Sequence, residues 1–440
     1  MEAKTQDRLE SIVGKENVSL GSEGARKFLR PGQEAPHLVV VRPSNDEEVQ
    51  KIVDLAREEK EAIVTVNDRY LLEEDLEKEG ILLDFSRMDE IERIDPANLV
   101  AHVQRGVTWD QLTAELRKQG LRAVAPVAAN SESVAESCSA RVVGKAAAKY
   151  WDYPVTNLRL VLANGHIHKT GTHGFDEEAS DGRSEGGPNL SNWFTCSDDI
   201  FGVMTRASIL LWPVYETRSC LAARFDDEDE LLRALKNLPR TELGVEYMGI
   251  NRATLKNLIG TDGGELPAWT LIVGLEGRQK LVDHHRDRIL GLLQKYDCKL
   301  DENLAATMTE QLDRPWMEAS DNHTAFFTLF TRVKEMDDAV DRAAASTGVP
   351  EEKVGKLFVS FDCGRAVYAV YDWFHEPYEA EAIKTLNLDL SDLGACFDRP
   401  HGDLGRKIYM SIPNHLPVLK HIKGVLDPAN IMNPGKIVAV

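Results

Sequence analysis

A strand–helix–strand pattern near the N-terminus most constrains the fold of this chain. Residues 37–41 form a short apolar run that Pro43 ends, and the sequence SNDE at residues 44–47 has the spacing of a helix capping box. A second apolar run follows at residues 62–66. Between the runs, one helical face carries apolar side chains: Val49, Ile52, Val53 and Ala56. The pattern predicts two parallel strands joined by a right-handed helical crossover.

Further strands are predicted in the first half of the chain. Residues 81–85 and 99–104 are apolar runs separated by a DPAN turn. Two more runs, at residues 158–163 and 166–170, flank an Asn-Gly pair at residues 164–165. Because Asn-Gly suits the tightest hairpin turns, this pair is the strongest hairpin signal in the sequence.

Strands and helices alternate in the middle of the chain. Strand-like and helix-like runs follow one another at residues 220–225, 227–236, 268–273, 279–296, 325–332, 334–345, 357–361 and 366–371. Repeated strand–helix–strand units with antiparallel pairing predict an α+β layer of ferredoxin-like type.

Composition restricts the classes of function. The chain has 440 residues, 42% of them hydrophobic and 28% charged, which indicates two or three globular domains. No apolar run approaches the roughly 18 residues that a transmembrane helix needs. A formal net charge of -20 disfavours nucleic acid and anionic lipid as partners. The N-terminal segment resembles no targeting peptide, so a cytoplasmic location is expected.

Local motifs exclude several enzyme classes. The six cysteines form no C-x-x-C pair, so reduced thiols are expected rather than zinc or iron–sulfur ligands. The motifs of P-loop ATPases, serine hydrolases, zinc proteases and Rossmann dehydrogenases are absent from the sequence. The chemistry must therefore come from another kind of site.

Several segments resemble one family. Residues 36–49, the sequence GILLDFSRMDEI at residues 80–91 and the sequence VQRGVTWDQL at residues 103–112 resemble the FAD-binding domain of the vanillyl-alcohol oxidase and p-cresol methylhydroxylase (PCMH) superfamily. The tail at residues 420–437, which contains LDPANIMNPGKI, is similar to the closing segment of its D-lactate and glycolate dehydrogenase branch. The resemblance implies FAD as the cofactor.

The resemblance also implies an α+β architecture with an insertion. Residues 1–215 would form a PCMH-type FAD-binding domain, and residues 216–388 an inserted ferredoxin-like cap domain for the substrate. Residues 389–440 would return to the FAD-binding domain. The cofactor would lie between the two domains.

This sequence departs from the family in the segments that would surround the FAD. Residues 67–79, where the resemblance places a glycine-rich pyrophosphate loop, contain no glycine and six carboxylates against two cations. Residues 133–137, SVAES, replace a Thr-Ile-Gly-Gly-Asn segment, and residues 195–203 keep Gly202 but lose the earlier glycines. Because carboxylates repel a phosphate and side chains block its approach to the backbone, FAD binding could also have been lost.

The resemblance nominates residues for each role. His401 would be the general base for the substrate hydroxyl proton, and Arg365 or Arg406 would clamp the substrate carboxylate. No metal is expected, since the family's metal-binding histidines are missing near residues 362–368. The cofactor-binding candidates are Ser133, Val134, Ser137, Gly202, Val203, Asn433 and Lys436.

Two functions follow from the resemblance and its departures. The first is an FAD-dependent oxidoreductase of the D-2-hydroxyacid (lactate- or glycolate-like) dehydrogenase type, in which a hydride passes from the alcohol carbon to the flavin. The alternative is a flavin-less structural or regulatory subunit of an oxidoreductase complex. The expected partners are a small hydroxyacid and either an electron-acceptor protein or a paralogous subunit.

Overall fold

The computed structural model is a mixed α/β structure of helices and three principal sheets. It describes residues 3–66, 70–127, 133–140, 143–149, 155–175, 189–195, 197–260, 266–312, 320–397 and 400–437. The helices are α1 (Ala3–Val13), α2 (Gly21–Ala25), α3 (Asp46–Glu59), α4 (Glu73–Leu76), α5 (Trp109–Lys118), α6 (Val134–Ala140), α7 (Ser191–Phe194), α8 (Glu228–Asn237), α9 (Arg252–Ile259), α10 (Gln279–Leu293), α11 (Glu302–Glu310), α12 (Val333–Thr347), α13 (Ala380–Asp392), α14 (Gly402–Ser411) and α15 (His415–Leu426). None of these helices has the length and apolar character needed to cross a bilayer.

The strands alternate with these helices along the chain. They are β1 (Val18–Leu20), β2 (Leu38–Val41), β3 (Ala62–Val64), β4 (Gly80–Leu83), β5 (Ile91–Asp95), β6 (Val100–Gln104), β7 (Leu121–Arg122), β8 (Val155–Leu162), β9 (Ile167–Lys169), β10 (Gly202–Leu210), β11 (Trp212–Pro213), β12 (Thr217–Phe225), β13 (Glu246–Asn251), β14 (Trp269–Gly277), β15 (Lys299–Leu300), β16 (His323–Thr328), β17 (Val354–Phe361) and β18 (Ala366–Trp373). Short 3₁₀ turns lie at Lys15–Asn17, Arg26–Phe28, Gly171–Gly174, Pro239–Thr241, Phe330–Arg332 and Glu351–Lys353.

The first sheet contains the strand–helix–strand unit predicted near the N-terminus. Its strand order is β1-β2-β4-β3, and both β2 and β3 run parallel to β4 between them. The predicted parallel arrangement is therefore confirmed, with β4 inserted between the two strands. The predicted cap lies one residue too early, because the Asn45 side chain accepts from the Glu48 backbone N–H at 2.9 Å.

The second sheet carries the Asn-Gly hairpin. Its order is β5-β6-β10-β8-β9, and the pairs within it are antiparallel. Strands β8 and β9 meet at residues 164–165, where Gly165 has φ +81°, as the sequence predicted. The apolar face of this sheet packs on Trp109 and Leu112 of α5 and on Ile437 of the tail.

The third sheet forms the middle of the chain. It has the order β15-β12-β14-β13-β17-β18-β16 and is antiparallel throughout. One face packs on α8, α10, α12 and α13, and the other packs on α9, α11 and apolar residues from 127–147. The α+β fold class is confirmed, whereas sequence patterns missed β13 and α9.

One predicted domain boundary falls between elements, and the other falls within a helix. Residue 215 lies between β11 and β12, and residue 388 lies inside α13. Because α13 packs on the core of the third sheet, its last turn belongs with that sheet. The boundaries stay predictions, and packing favours placing the second one after α13.

A buried ion pair fixes the C-terminal tail. The Lys423 ammonium at the end of α15 pairs with Asp427 and donates to the carbonyls of Ile200 at 2.8 Å and Met432 at 2.7 Å. The Asp427 carboxylate also accepts from the backbone N–H groups of Ile431 at 3.0 Å and Met432. These bonds turn the chain after α15 so that residues 431–436 run beside β3.

A second buried charge cluster lies in the third sheet. Lys356 on β17 is 3.3 Å from Asp337 and 2.9 Å from Asp341, both on α12. The Glu228 carboxyl at the start of α8 faces Asp337, so one ammonium serves three carboxyl groups. Burial first, and then the hydrogen bond to Asp337, raise the pKa of Glu228 to about 9.

Replacing Lys423 tests the tail anchor. Lys423→Met leaves the Asp427 carboxylate buried without its counter-ion, so we expect a loss of about 3–5 kcal/mol in the free energy of unfolding. Lys420→Met, at an exposed position on the same helix, should change it by less than about 0.5 kcal/mol. Denaturant unfolding measures both, and equal losses would contradict the anchor.

The raised pKa of Glu228 predicts a pH dependence of stability. The carboxyl stays protonated in the folded chain up to about pH 9, whereas in the unfolded chain it ionises near its ordinary value of 4.5. Its contribution to stability is therefore fully present below pH 4.5 and is lost as the pH rises through 9.

Glu228→Gln should therefore stabilise the protein at neutral and alkaline pH by on the order of 1 kcal/mol, with little effect in acid. The matched control is Asp229→Asn, at an exposed position on the same turn. Melting temperatures of both variants and of the unmodified protein, measured from pH 4 to pH 9, test this expectation. Parallel curves for Glu228→Gln and the unmodified protein would show that the carboxyl is ionised in the fold.

Candidate functional site

The tail docks on the end of β3. The Asn433 backbone N–H donates to the Ile63 carbonyl at 2.8 Å, and its side-chain oxygen accepts from the Thr65 N–H at 2.9 Å. Its side-chain amide donates to the Thr65 hydroxyl at 2.8 Å and the Asp198 carbonyl at 2.7 Å. Asn433 thus uses both ends of its amide to join three segments.

Lys436 reaches the same place. Its buried ammonium donates to the Thr65 carbonyl at 2.7 Å. Two cofactor-binding candidates from the sequence, Asn433 and Lys436, therefore meet at Thr65. The residues that follow Val66 in the chain, 67–69, lie outside the described ranges, as does the start of the predicted pyrophosphate loop.

The Ser133–Ser137 candidates lie at the start of α6. The Val134 N–H donates to the Val107 carbonyl at 2.9 Å, and the Glu136 N–H donates to the Ser133 hydroxyl at 3.1 Å. The Ser137 N–H donates to the Ser133 carbonyl at 3.1 Å, and its hydroxyl accepts from the Trp109 indole at 3.1 Å. These N–H and hydroxyl groups already form hydrogen bonds within the protein.

Gly202 and Val203 are the first residues of β10. They pair with Leu162 and Val161 of β8. A Cβ on Gly202 would lie 3.1 Å from the Val161 carbonyl oxygen, so close strand packing favours glycine there. Val203 is fully buried in the core of the first sheet. Their role in cofactor binding stays a prediction, while their packing role is evident.

Arg105 joins these segments, and sequence reasoning missed its role. Its side chain is fully buried, and its guanidinium lies 2.8 Å from the Asp199 carboxylate. The same group donates to the carbonyls of Met204 at 3.0 Å and Val66 at 3.3 Å, and it stacks 4.3 Å from the Phe85 ring. The Glu136 carboxylate lies 3.8 Å from its Nε.

Asp199 completes this cluster from the segment before β10. Its carboxylate accepts from the Thr65 hydroxyl at 2.8 Å and the Met204 N–H at 3.2 Å. Asp199 has φ +56°, in the left-handed region that favours glycine. The position corresponds to a glycine in the family pattern, so aspartate keeps the backbone shape and adds a charge.

A replaced glycine was the signal available in the sequence. Asp199 stands where the family pattern has a glycine, which adds a negative charge, and Arg105 is a cation inside the resembling segment at residues 103–112. Only the three-dimensional structure places the two side chains together, because they are far apart in the sequence.

His401 and Arg406 lie at α14. His401 immediately precedes the helix, is half-buried, and accepts from the Gly405 N–H through its carbonyl at 2.9 Å. Gly402 lies against α4, since a Cβ there would be 2.1 Å from the Glu74 carboxylate. Arg406 is exposed one turn further on and pairs with Asp403 at 3.3 Å.

Arg365 lies on a different element. It is on the β17–β18 turn of the third sheet, largely exposed, with its guanidinium 2.8 Å from Asp362. That turn packs against residues 147–148 and against Arg240, which donates to the Gly364 carbonyl at 3.2 Å. Arg365 and His401 share no contact among the described residues.

An apolar cleft of about 400 Å³ lies between α7, α15 and the second sheet. It is lined by Leu162, His168, Leu190, Trp193, Phe194, Phe201, His421, Ile422, Val425 and Leu426. The lining offers no fixed cation for a carboxylate, so the cleft suits an apolar group better than a hydroxyacid. No cluster of metal-ligating side chains is found within the described ranges.

Where the family resemblance places the FAD diphosphate, the residues present do not fit it, whereas the tail candidates Asn433 and Lys436 are brought together at Thr65. The N–H groups of Val134, Glu136 and Ser137 at the start of α6 already have acceptors within the protein. Two carboxylates, Asp199 and Glu136, accompany the single guanidinium of Arg105. This part of the site therefore offers neither a glycine-lined cradle nor excess positive charge.

Two family models match the chain. A model described as an FAD binding domain matches residues 37–171, and one described as the C-terminal domain of FAD linked oxidases matches residues 408–437. The first match ends beside β9, and the second covers α15 and the tail that docks on β3. These matches support FAD as the cofactor of this fold.

Curated relatives span nearly the whole chain. A D-lactate dehydrogenase of Archaeoglobus fulgidus is 24% identical, covering 92% of this chain and 92% of its own. The glycolate oxidase subunit GlcD of Bacillus subtilis is 23% identical, covering 99% of this chain and 96% of its own. Both similarities extend through the third sheet as well as the matched domains.

The solved structures agree with this assignment. Substrate-bound p-cresol methylhydroxylase superposes with a TM-score of 0.82 at 19% identity, covering 99% of this chain and 96% of that one. At this identity the likeness establishes the fold, which is the PCMH-type fold expected from the sequence. The chain thus combines a match to an FAD binding domain and a match to the C-terminal domain of FAD linked oxidases with a PCMH-type fold.

Proposed function

We propose that this chain serves the FAD-linked oxidation of a small D-2-hydroxyacid, of the lactate or glycolate kind. The observation that carries the proposal is the docking of the tail on β3. Through Asn433 and Lys436, both bonded to Thr65, the two matched domains come together at one place. The names of the relatives, D-lactate dehydrogenase and glycolate oxidase subunit, supply the substrate class.

The proposal gives His401 the role of general base. A neutral imidazole has a ring nitrogen that can accept the proton of the substrate hydroxyl. Arg406 is better placed than Arg365 to hold the substrate carboxylate, because it follows His401 on α14. Its exposed pair with Asp403 can open at little cost to accept a carboxylate instead.

A second candidate function is a flavin-less subunit beside an active oxidoreductase. The cluster of Arg105, Asp199 and Glu136 specifically favours it, because these side chains meet on the diphosphate side of the fold. In that case the partner would be a paralogous subunit or an electron-acceptor protein. The cytoplasmic location expected from the sequence stays a prediction.

Purified protein separates the two candidates. After incubation with excess FAD, the first predicts flavin absorbance from bound FAD, and reduction of an artificial dye that depends on D-lactate or glycolate. Protein that stays colourless after incubation with excess FAD, and reduces no dye, would contradict the first candidate and favour the second.

Replacing His401 tests the proposed base. With FAD in excess, His401→Ala should lower kcat by about 100-fold or more, since the hydroxyl proton loses its acceptor. The matched control is His415→Ala, at an exposed position at the start of α15, and it should keep the rate of the unmodified protein. Equal turnover by both variants would remove His401 from the mechanism.

A further inference from the structure

One side chain contacts two of the three segments that the family resemblance assigns to the dinucleotide, together with Val66, the residue before the third. Arg105 bonds to the Val66 carbonyl at the end of the β3 segment and to Asp199 before β10. Its own carbonyl accepts from the Ser133 hydroxyl, and its guanidinium approaches Glu136 on α6. A fully buried arginine thus lies at the junction of these segments.

The positive charge of Arg105 is neutralised by carboxylates within the same cluster. Asp199 is buried and accepts three donors: Arg105, the Thr65 hydroxyl and the Met204 N–H. Burying an arginine is costly unless its charge and N–H groups are matched. The Asp199 carboxylate and the carbonyls of Met204 and Val66 match the charge and give each terminal nitrogen an acceptor, and the Glu136 carboxylate lies 3.8 Å from Nε. An added diphosphate would meet two carboxylates here and would have to compete with them for the guanidinium.

We propose that Arg105, Asp199 and Glu136 form a salt-bridge plug on the diphosphate side of the site, which weakens the binding of FAD. The inference rests on the proposed function, because FAD binding in that function determines which side of the fold would face the dinucleotide. Binding requires the plug to open, so the apparent dissociation constant rises as the fraction of open molecules falls.

The backbone conformation at Asp199 allows its carboxylate to be removed by substitution with glycine. Its φ of +56° suits glycine better than aspartate, so Asp199→Gly removes the carboxylate and relieves strain. Arg105→Ala alone would leave Asp199 buried without its counter-ion. The double variant Arg105→Ala/Asp199→Gly removes both charges together and is the direct test.

The experiment is a titration of the full-length apoprotein with FAD, followed by calorimetry and flavin fluorescence. The double variant should bind FAD at least about tenfold more tightly than the unmodified protein. The control is Arg122→Ala/Glu276→Ala, which removes another buried ion pair, with the two groups 2.5 Å apart, at β7 and β14. The control should leave the affinity for FAD unchanged.

Each outcome decides the inference. A folded double variant that binds FAD no more tightly than the unmodified protein overturns the plug. If the double variant does not fold, Asp199→Gly carries the test, and unchanged affinity in that variant overturns it equally.

The proposed function fails separately from this inference. It fails if a variant that has gained FAD oxidises no hydroxyacid, whatever the gain in affinity. Conversely, an unmodified protein that binds FAD tightly and oxidises D-lactate, with no gain in the variants, overturns the plug and leaves the function standing.

Discussion

A fully buried guanidinium needs acceptors on every side, and the arrangement around Arg105 follows from that need. The side chain has no contact with solvent, so carbonyls and carboxylates must replace water. They come from the end of β3, the start of α6 and the segment before β10. The cluster therefore ties together elements that are separated widely along the chain.

The tail supports this junction from the other side. Lys423 and Asp427 turn the chain after α15, and Asn433 then bonds to Thr65, whose hydroxyl donates to Asp199. The C-terminal segment and the N-terminal domain thus form one hydrogen-bonded unit. Its polar groups are satisfied mostly by each other, which makes the network rigid and specific.

Much of the fold was predictable from local sequence. Two strong signals are the Asn-Gly pair at residues 164–165 and the apolar run at residues 37–41. They are strong because turn chemistry and strand periodicity act within a few residues. The strand β13 was missed, since it contains a buried charge, Glu246, and a glycine, Gly249, that break an apolar pattern. The cap at Asn45 differs from the prediction by one residue, because Ser44 and Asn45 both suit the cap position.

The site was only partly predictable. Asn433 and Lys436 lie in a recognisable tail motif, and the structure brings them to Thr65. The Arg105–Asp199 pair depends on a contact between residues 94 positions apart, which no local pattern reports. For Arg365 the sequence was misleading in the opposite direction. Arginine suits a carboxylate clamp, but Arg365 lies on a turn that shares no described contact with His401.

A crystal structure of the unmodified protein grown with FAD shows whether the Arg105–Asp199 pair and a bound diphosphate exclude each other. The account predicts that Arg105 and Asp199 remain in contact at 2.8 Å wherever no diphosphate is bound, and that the contact is broken in any molecule that holds one. A diphosphate seated at the start of α6 beside an intact Arg105–Asp199 pair would contradict it.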